Sequence, residues 1–112
     1  MAEGSLGYIT VTTAGTPVRV TTTKRLVRSY MVQQHPDNTI NTTKGYVGLA
    51  AVLDLATGVN LLGVIPPNTT GTISAFTSSA SSPLASDCKD LSTLWLDSSA
   101  NNQKFLVSFT DE

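Results

Sequence analysis

The amino-acid sequence predicts an all-β protein: a single compact β-sandwich or jelly roll of about seven to eight short antiparallel strands. Three observations carry this. The 112 residues include 17 Thr and 12 Ser, and the stiff χ1 of β-branched Thr suits a pleated strand better than a helix. Short stretches alternate apolar and polar residues at period two. Turn-forming clusters, drawing on 8 Gly and 5 Pro, separate these stretches every ~8–12 residues, as in a sandwich or jelly roll. A mass of 11.8 kDa suits one domain.

Taken in order, residues 1–7 lack periodicity and are expected as a flexible N-terminal arm on a sandwich domain over 8–112. Tyr8 to Thr12 alternates as a half-buried strand, and Ala14-Gly15-Thr16-Pro17 turns the chain. Val18 to Thr21 resumes the alternation with Val18 and Val20 inward and Arg19 outward, and a polar turn follows to Arg25. Leu26 to Gln34 is the longest strand, expected to carry Leu26, Arg28, Tyr30 and Val32 on one face and Val27, Ser29 and Met31 on the other. His35-Pro36-Asp37-Asn38 closes it. Tyr46 to Leu49 is a short strand. Residues 49–58 fit helical spacing and strand spacing equally, and the β-rich surroundings favour strand and loop.

Leu61 to Ile65 is a strand stopped by Pro66-Pro67, Asn68 to Gly71 is a turn, and Thr72 to Thr77 is another strand. Ser78 to Ser86, with five Ser and Pro83, reads as a loop. Asp87 to Asp90 is expected as one helical turn capped by Asp87. Thr93 to Asp97 is a strand, Ser98 to Gln103 with Asn101-Asn102 a hairpin turn, and Lys104 to Thr110 the last strand.

Composition narrows the chemistry. Charged residues are 13% and the net charge is -1, so electrostatics does not mark a nucleic-acid binder. No apolar run approaches the ~20 residues of a membrane span, and Met1 to Ser5 lacks the basic start and apolar stretch of a secretion signal. The protein is expected to be made without export, with no nucleic-acid or membrane partner. One Cys excludes an internal disulfide and a multi-thiolate zinc site. A Ser/Thr/Asn surface with so few charges fits one that packs against other subunits.

Few residues could carry catalysis. His35 is the only histidine, and an exposed turn residue is its ordinary reading. Asp87, Asp90 and Asp97 lack the spacing of a calcium loop. Cys88 has Lys89 on one side and Asp87 on the other, opposing influences on its thiol. Gly58, Gly63 and Gly71 do not form a phosphate loop. The sequence therefore predicts no enzyme, no cofactor and no metal. One asymmetry stands out: Arg19, Lys24, Arg25 and Arg28 are four of the seven basic residues, while five acids follow from Asp87 onward. This is either a solvated turn and tail or a two-ended dipole that docks its basic end on an acidic surface.

Taken together, ITVTTAGTPVRVTTT, GYVGLA, ATGVNL and DLSTLWLDSSANNQKFLVSF resemble small structural proteins of tailed bacteriophages, most of all capsid decoration (cement or staple) proteins. The resemblance covers most of residues 7–109 and is weakest over 59–86. It implies a compact β-sandwich, synthesised in the bacterial host cytoplasm, that binds the outer surface of the mature head. There it would stabilise the shell by bridging major capsid protein subunits. A tail, neck or fibre-base component of the virion is the alternative. Bridging needs two contacts at once, so a homo-oligomer on the capsid, dimer or trimer, is expected. The basic cluster Arg19, Lys24, Arg25 and Arg28 is the first candidate for capsid contact, with charge reversal at Arg25 and Arg28 expected to spare the fold. Tyr46 and Trp95 follow as aromatic anchors. The strand holding Trp95 carries Leu94 and Leu96 on its other face, so either something large is exposed or both faces are buried.

Overall fold

Alternation along the last strand sets the architecture: Phe105, Val107 and Phe109 are buried, while Leu106, Ser108 and Thr110 between them are only half-buried. The computed structural model describes residues 3–78 and 89–111. These form nine strands: β1 (Glu3–Val11), β2 (Val18–Arg19), β3 (Leu26–Gln34), β4 (Gly45–Gly48), β5 (Leu61–Ile65), β6 (Ala75–Thr77), β7 (Lys89–Asp90), β8 (Trp95–Ser98) and β9 (Gln103–Asp111). A 3₁₀ turn spans Leu91–Thr93.

Every pairing between the strands is antiparallel. One sheet runs β1-β9-β3-β6 with β7 also on β3; the other runs β2-β8-β4-β5. The sandwich expected from the sequence is the fold observed. Its core takes Val11, Val27, Tyr30, Val32, Phe105, Val107 and Phe109 from the first sheet, and Val47, Ile65 and Leu96 from the second. Burying each such side chain stabilises the fold by about 1.5–3 kcal/mol before ordering costs. Gly45 lets the sheets close, because a Cβ there would lie 2.5 Å from Phe105 Cε1.

Several expectations are corrected. Glu3 to Gly7 do not stand off as an arm: they lengthen β1, with Glu3 opposite Thr110 and Ser5 opposite Ser108. Gly7, at φ 79°, sits where a bulge shifts the register between Ser5 and Tyr8, a conformation only glycine adopts without cost. A second bulge, between Val27 and Ser29, reassigns the faces of β3. Val27, Tyr30, Val32 and Gln34 point inward, and Leu26 and Arg28 leave the face on which strict alternation puts them.

The helical turn lies at Leu91–Thr93, after β7, and its cap is Asp90; the proposed cap Asp87 lies outside the described residues, as do Cys88 and most of the Ser-rich loop. Ser98 to Gln103 is no hairpin, since β8 and β9 belong to different sheets; it is an arch between them, with Asn102 at φ 58°. Residues 49–58 form a loop of turns with no helix.

A buried amide network ties the loops at the end of β3. Gln34 Nε2 donates to the carbonyls of Thr43 (2.8 Å) and Pro66 (2.7 Å). Asn38 Nδ2 donates to Gln34 Oε1 at 3.1 Å, and Asn68 Nδ2 to the His35 carbonyl at 3.0 Å. These amides supply the partners that irregular backbone cannot find in a ladder.

Candidate binding face

Strand register assembles the strongest candidate site on the outer face of the four-stranded sheet. Val47 and Leu96 point into the core, so their neighbours Tyr46 and Trp95 point out. Arg19 on β2 stands opposite Trp95 on β8, which stands opposite Gly48 on β4. In the next row Asp97 stands opposite Tyr46, and Tyr46 opposite Val64 on the edge strand β5. Directly opposite residues have Cβ atoms ~4.5–5.5 Å apart and diagonal ones ~7–8 Å, so Arg19 neighbours Trp95 directly and Tyr46 lies diagonally from Trp95 on the same face. Both rings are half-buried, while Val64 is 45% exposed. The choice left open for Trp95 is thereby resolved: its two leucine neighbours fill the core and the indole lies on the outside.

Fixed hydrogen bonds hold this surface. Arg19 Nε donates to the Ser92 carbonyl at 2.7 Å. Asp97, buried beneath the β1–β2 turn, accepts from Gly15 N–H at 3.0 Å and from Ser98 N–H at 2.7 Å. The carboxylate is thus occupied in strapping that turn to β8. Leu53 packs back over Gly48, where any side chain would collide with it.

The other basic candidates gather around the same 3₁₀ turn whose Ser92 carbonyl Arg19 reaches. Arg25 N–H donates to Asp90 Oδ1 at 3.2 Å, its carbonyl accepts from Leu91 N–H at 2.9 Å, and its guanidinium lies 4.3 Å from the Phe109 ring centroid. The Arg28 carbonyl accepts from Lys89 Nζ at 3.2 Å. Backbone and hydroxyl donation from Ser92, helped by Arg25 N–H and the charge of Lys24, holds the Asp90 carboxyl below its ordinary pKa. Asp90, one of the five acids towards the C-terminus, therefore lies beside the basic cluster. Arg25 serves the fold as well as the surface. Of the six candidates, Arg19, Tyr46 and Trp95 share the outer sheet face, whereas Lys24, Arg25 and Arg28 surround the β7 segment and its turn.

Among the described residues, His35 has structural partners. The His35 and Tyr8 rings meet at a tilt of 58° with centroids 4.4 Å apart, and His35 Nδ1 accepts from Asp37 N–H at 2.9 Å. That bond shapes the turn. Among the described residues no group of three or more His, Cys, Asp or Glu gathers to hold a metal, and no helix is long and apolar enough to cross a membrane.

Two hollows and one apolar surface were not anticipated. An open depression of about 740 Å³ on the five-stranded sheet has a mixed lining in which Ser5, Ser29, Thr77, Ser108 and Thr110 accompany Met31 and Phe109. A smaller, mostly apolar mouth of about 280 Å³ opens between the sheets at Tyr30, Leu49, Leu62 and Leu94. Burial there pushes the Tyr30 hydroxyl pKa up. Beside this mouth Leu49, Val52, Leu55, Val59 and Leu62 are all exposed. Their signal was present in the sequence, since residues 49–65 hold a single charge, Asp54. Compared with protein-family models, curated proteins and solved structures, the chain matches none.

Proposed function

We propose that this protein is a non-enzymatic structural component of a bacteriophage virion, binding the outer surface of the mature head and stabilising it by bridging major capsid protein subunits. The observation that carries the reading is the platform of Arg19, Trp95 and Tyr46 on one regular sheet face. Trp, Tyr and Arg are the residue types that dominate binding energy at protein interfaces, and a rigid sheet presents them at little ordering cost. The resemblance of the sequence to decoration proteins supplies the partner. The physical mechanism is mass action: a protein that binds only the assembled shell adds its binding free energy to the shell's stability, repeated over many sites.

Co-sedimentation with isolated phage heads, unexpanded and expanded, tests this, with tails as control. Saturable binding to expanded heads, lost with Trp95→Ala and Arg19→Glu while folding persists, is the expected result. Binding to tails alone would move the protein to a tail, neck or fibre-base role. Binding to neither, or binding that both variants retain, removes the platform as the docking site.

A further inference from the structure

We propose that Arg19 and Trp95 form a receptor for a carboxylate: an Asp or Glu side chain carried beside an apolar residue on the partner protein's surface. This rests on the docking face proposed above and names what that face recognises.

The guanidinium is aimed before any partner arrives. Arg19 Nε donates to the Ser92 carbonyl at 2.7 Å. That carbonyl belongs to the 3₁₀ turn Leu91–Thr93, which is fixed in its own right. Asp90 Oδ1 accepts from Ser92 N–H at 2.9 Å and from Ser92 Oγ at 2.8 Å, and Thr93 Oγ1 donates to the Asp90 carbonyl at 2.8 Å. Leu91 and Ser92 are buried, so the turn is anchored in the fold. A guanidinium carries its N–H donors in one rigid plane, and holding the Nε–H therefore orients those on Nη1 and Nη2. Among the described residues neither Nη has an acceptor, and no carboxylate lies within ion-pair distance of Arg19. The residue is exposed, so the fork opens to solvent. Orientation set in advance lowers the entropy lost when a partner binds.

The sheet leaves this charge unanswered. Strands β2, β8, β4 and β5 hold one cation, Arg19, and one acid, Asp97. Asp97 is buried, and its Oδ1 already accepts from Gly15 N–H and Ser98 N–H. A planar carboxylate is the partner that two parallel N–H donors fit. The phosphates of a nucleic acid fit less well. These strands offer no second cation to follow a charged backbone, and the Trp95 and Tyr46 rings are half-buried in the face instead of standing out for bases to stack on. Trp95, directly opposite Arg19, supplies the apolar half of the receptor. An apolar group docked on the indole would keep water from one side of the ion pair and so strengthen it.

Nuclear magnetic resonance titration of the isotope-labelled full chain tests this without any shell present. The probe is acetyl-Leu-Glu-Leu-amide, and acetyl-Leu-Gln-Leu-amide at equal ionic strength is the control. The Glu peptide should shift Trp95 Nε1–H and Arg19 Nε–H saturably, with a Kd on the order of 1–10 mM, and the Gln peptide should bind about tenfold more weakly or less. Arg19→Lys should also cost about tenfold, because one ammonium cannot bond the Ser92 carbonyl and present a fork. Arg19→Gln should bring the Glu peptide down to the level of the Gln peptide. Lys104→Gln, on the other sheet, should change binding less than about twofold. Thermal melts check that each variant is folded.

No saturation by about 50 mM overturns the proposal. So do equal affinities for the two peptides, full binding by Arg19→Lys, or loss with Lys104→Gln. An oligothymidylate that binds this face more tightly than the Glu peptide overturns it in favour of nucleic acid. Heads separate the two readings. A chain that takes the Glu peptide and ignores heads keeps the receptor and loses the shell role. Head binding that falls with Trp95→Ala but persists with Arg19→Gln keeps the docking face and loses the carboxylate.

Discussion

The side-chain amide of Asn38 pairs with the backbone of Lys104 in both directions: Nδ2 donates to the Lys104 carbonyl at 2.7 Å, and Lys104 N–H donates to Oδ1 at 2.9 Å. One carboxamide thus does for β9 what another strand's peptide group would do. It also reaches Gln34, so the turn after β3 is fastened to the end of β9 through a buried amide pair.

Asn38→Ala should therefore cost about 1–3 kcal/mol, because the Lys104 N–H and Gln34 Oε1 lose the partner that Asn38 supplies, while the Lys104 carbonyl keeps the His35 N–H. Asn38→Asp keeps the acceptor for Lys104 N–H but sets a carboxylate against two oxygens. It should destabilise comparably at neutral pH. Urea unfolding of both variants measures this, and a loss below about 0.5 kcal/mol in either would show the network to be dispensable.

Gly45→Ala should destabilise by about 1–3 kcal/mol through overpacking. The new methyl would meet Phe105 Cε1 at 2.5 Å and Ile65 Cδ1 at 3.0 Å, where ring and aliphatic are both fully buried. Pairing it with Phe105→Leu, which makes room, should recover part of the loss in a double-mutant cycle. Strict additivity of the two changes would locate the strain elsewhere.

Arg25→Glu should lower the melting temperature, contrary to the reading of Arg25 as a surface charge alone. The guanidinium over Phe109 contributes ~0.5–1 kcal/mol as an exposed cation–π contact, and the new carboxylate would face Asp90, which bonds Arg25 N–H. Arg25→Lys should keep most of the stability. An unchanged melt for the Glu variant would return Arg25 to the surface.

Acid should loosen the Asp90–Thr93 turn. The Asp90 pKa is depressed when folded, so its contribution is present above the unfolded carboxylate value of ~4 and is lost as pH falls through the lower folded value. Asp54, depressed chiefly by its Thr57 hydrogen bonds, has the same sign. Asp90→Asn should therefore be less stable than the parent at pH 7, with the gap narrowing towards pH 2 in thermal melts. A gap that stays constant with pH would remove the charge from the explanation.

The strands legible in the sequence were those whose two faces differ in polarity. Val18-Arg19-Val20 and Lys104 to Thr110 announce their inward residues by alternation alone, and Trp95 with its two leucines announces a strand with large side chains on both faces, without saying which face is inward. A period of two fixes which residues share a face. The all-β class and the single sandwich follow from that local signal, whereas the clustering of basic residues singles out Arg19, and residue type singles out Tyr46 and Trp95.

Tertiary structure decided everything that depends on which strand lies beside which. That β8 and β9 sit in different sheets turns an expected hairpin into an arch, because Asn101-Asn102 permits either and the core selects one. The bulge at Arg28 is invisible to alternation, since only pairing with β9 shows the extra residue. The arm became a strand because residues 3–5 found backbone partners on β9, although Gly4 and Ser5 have little strand preference of their own. The joining of Arg19, Trp95 and Tyr46 likewise belongs to the sheet: residues 19, 46 and 95 meet only through the register of β2, β8 and β4. Periodicity is a property of neighbours along the chain, whereas a binding face is a property of neighbours across it.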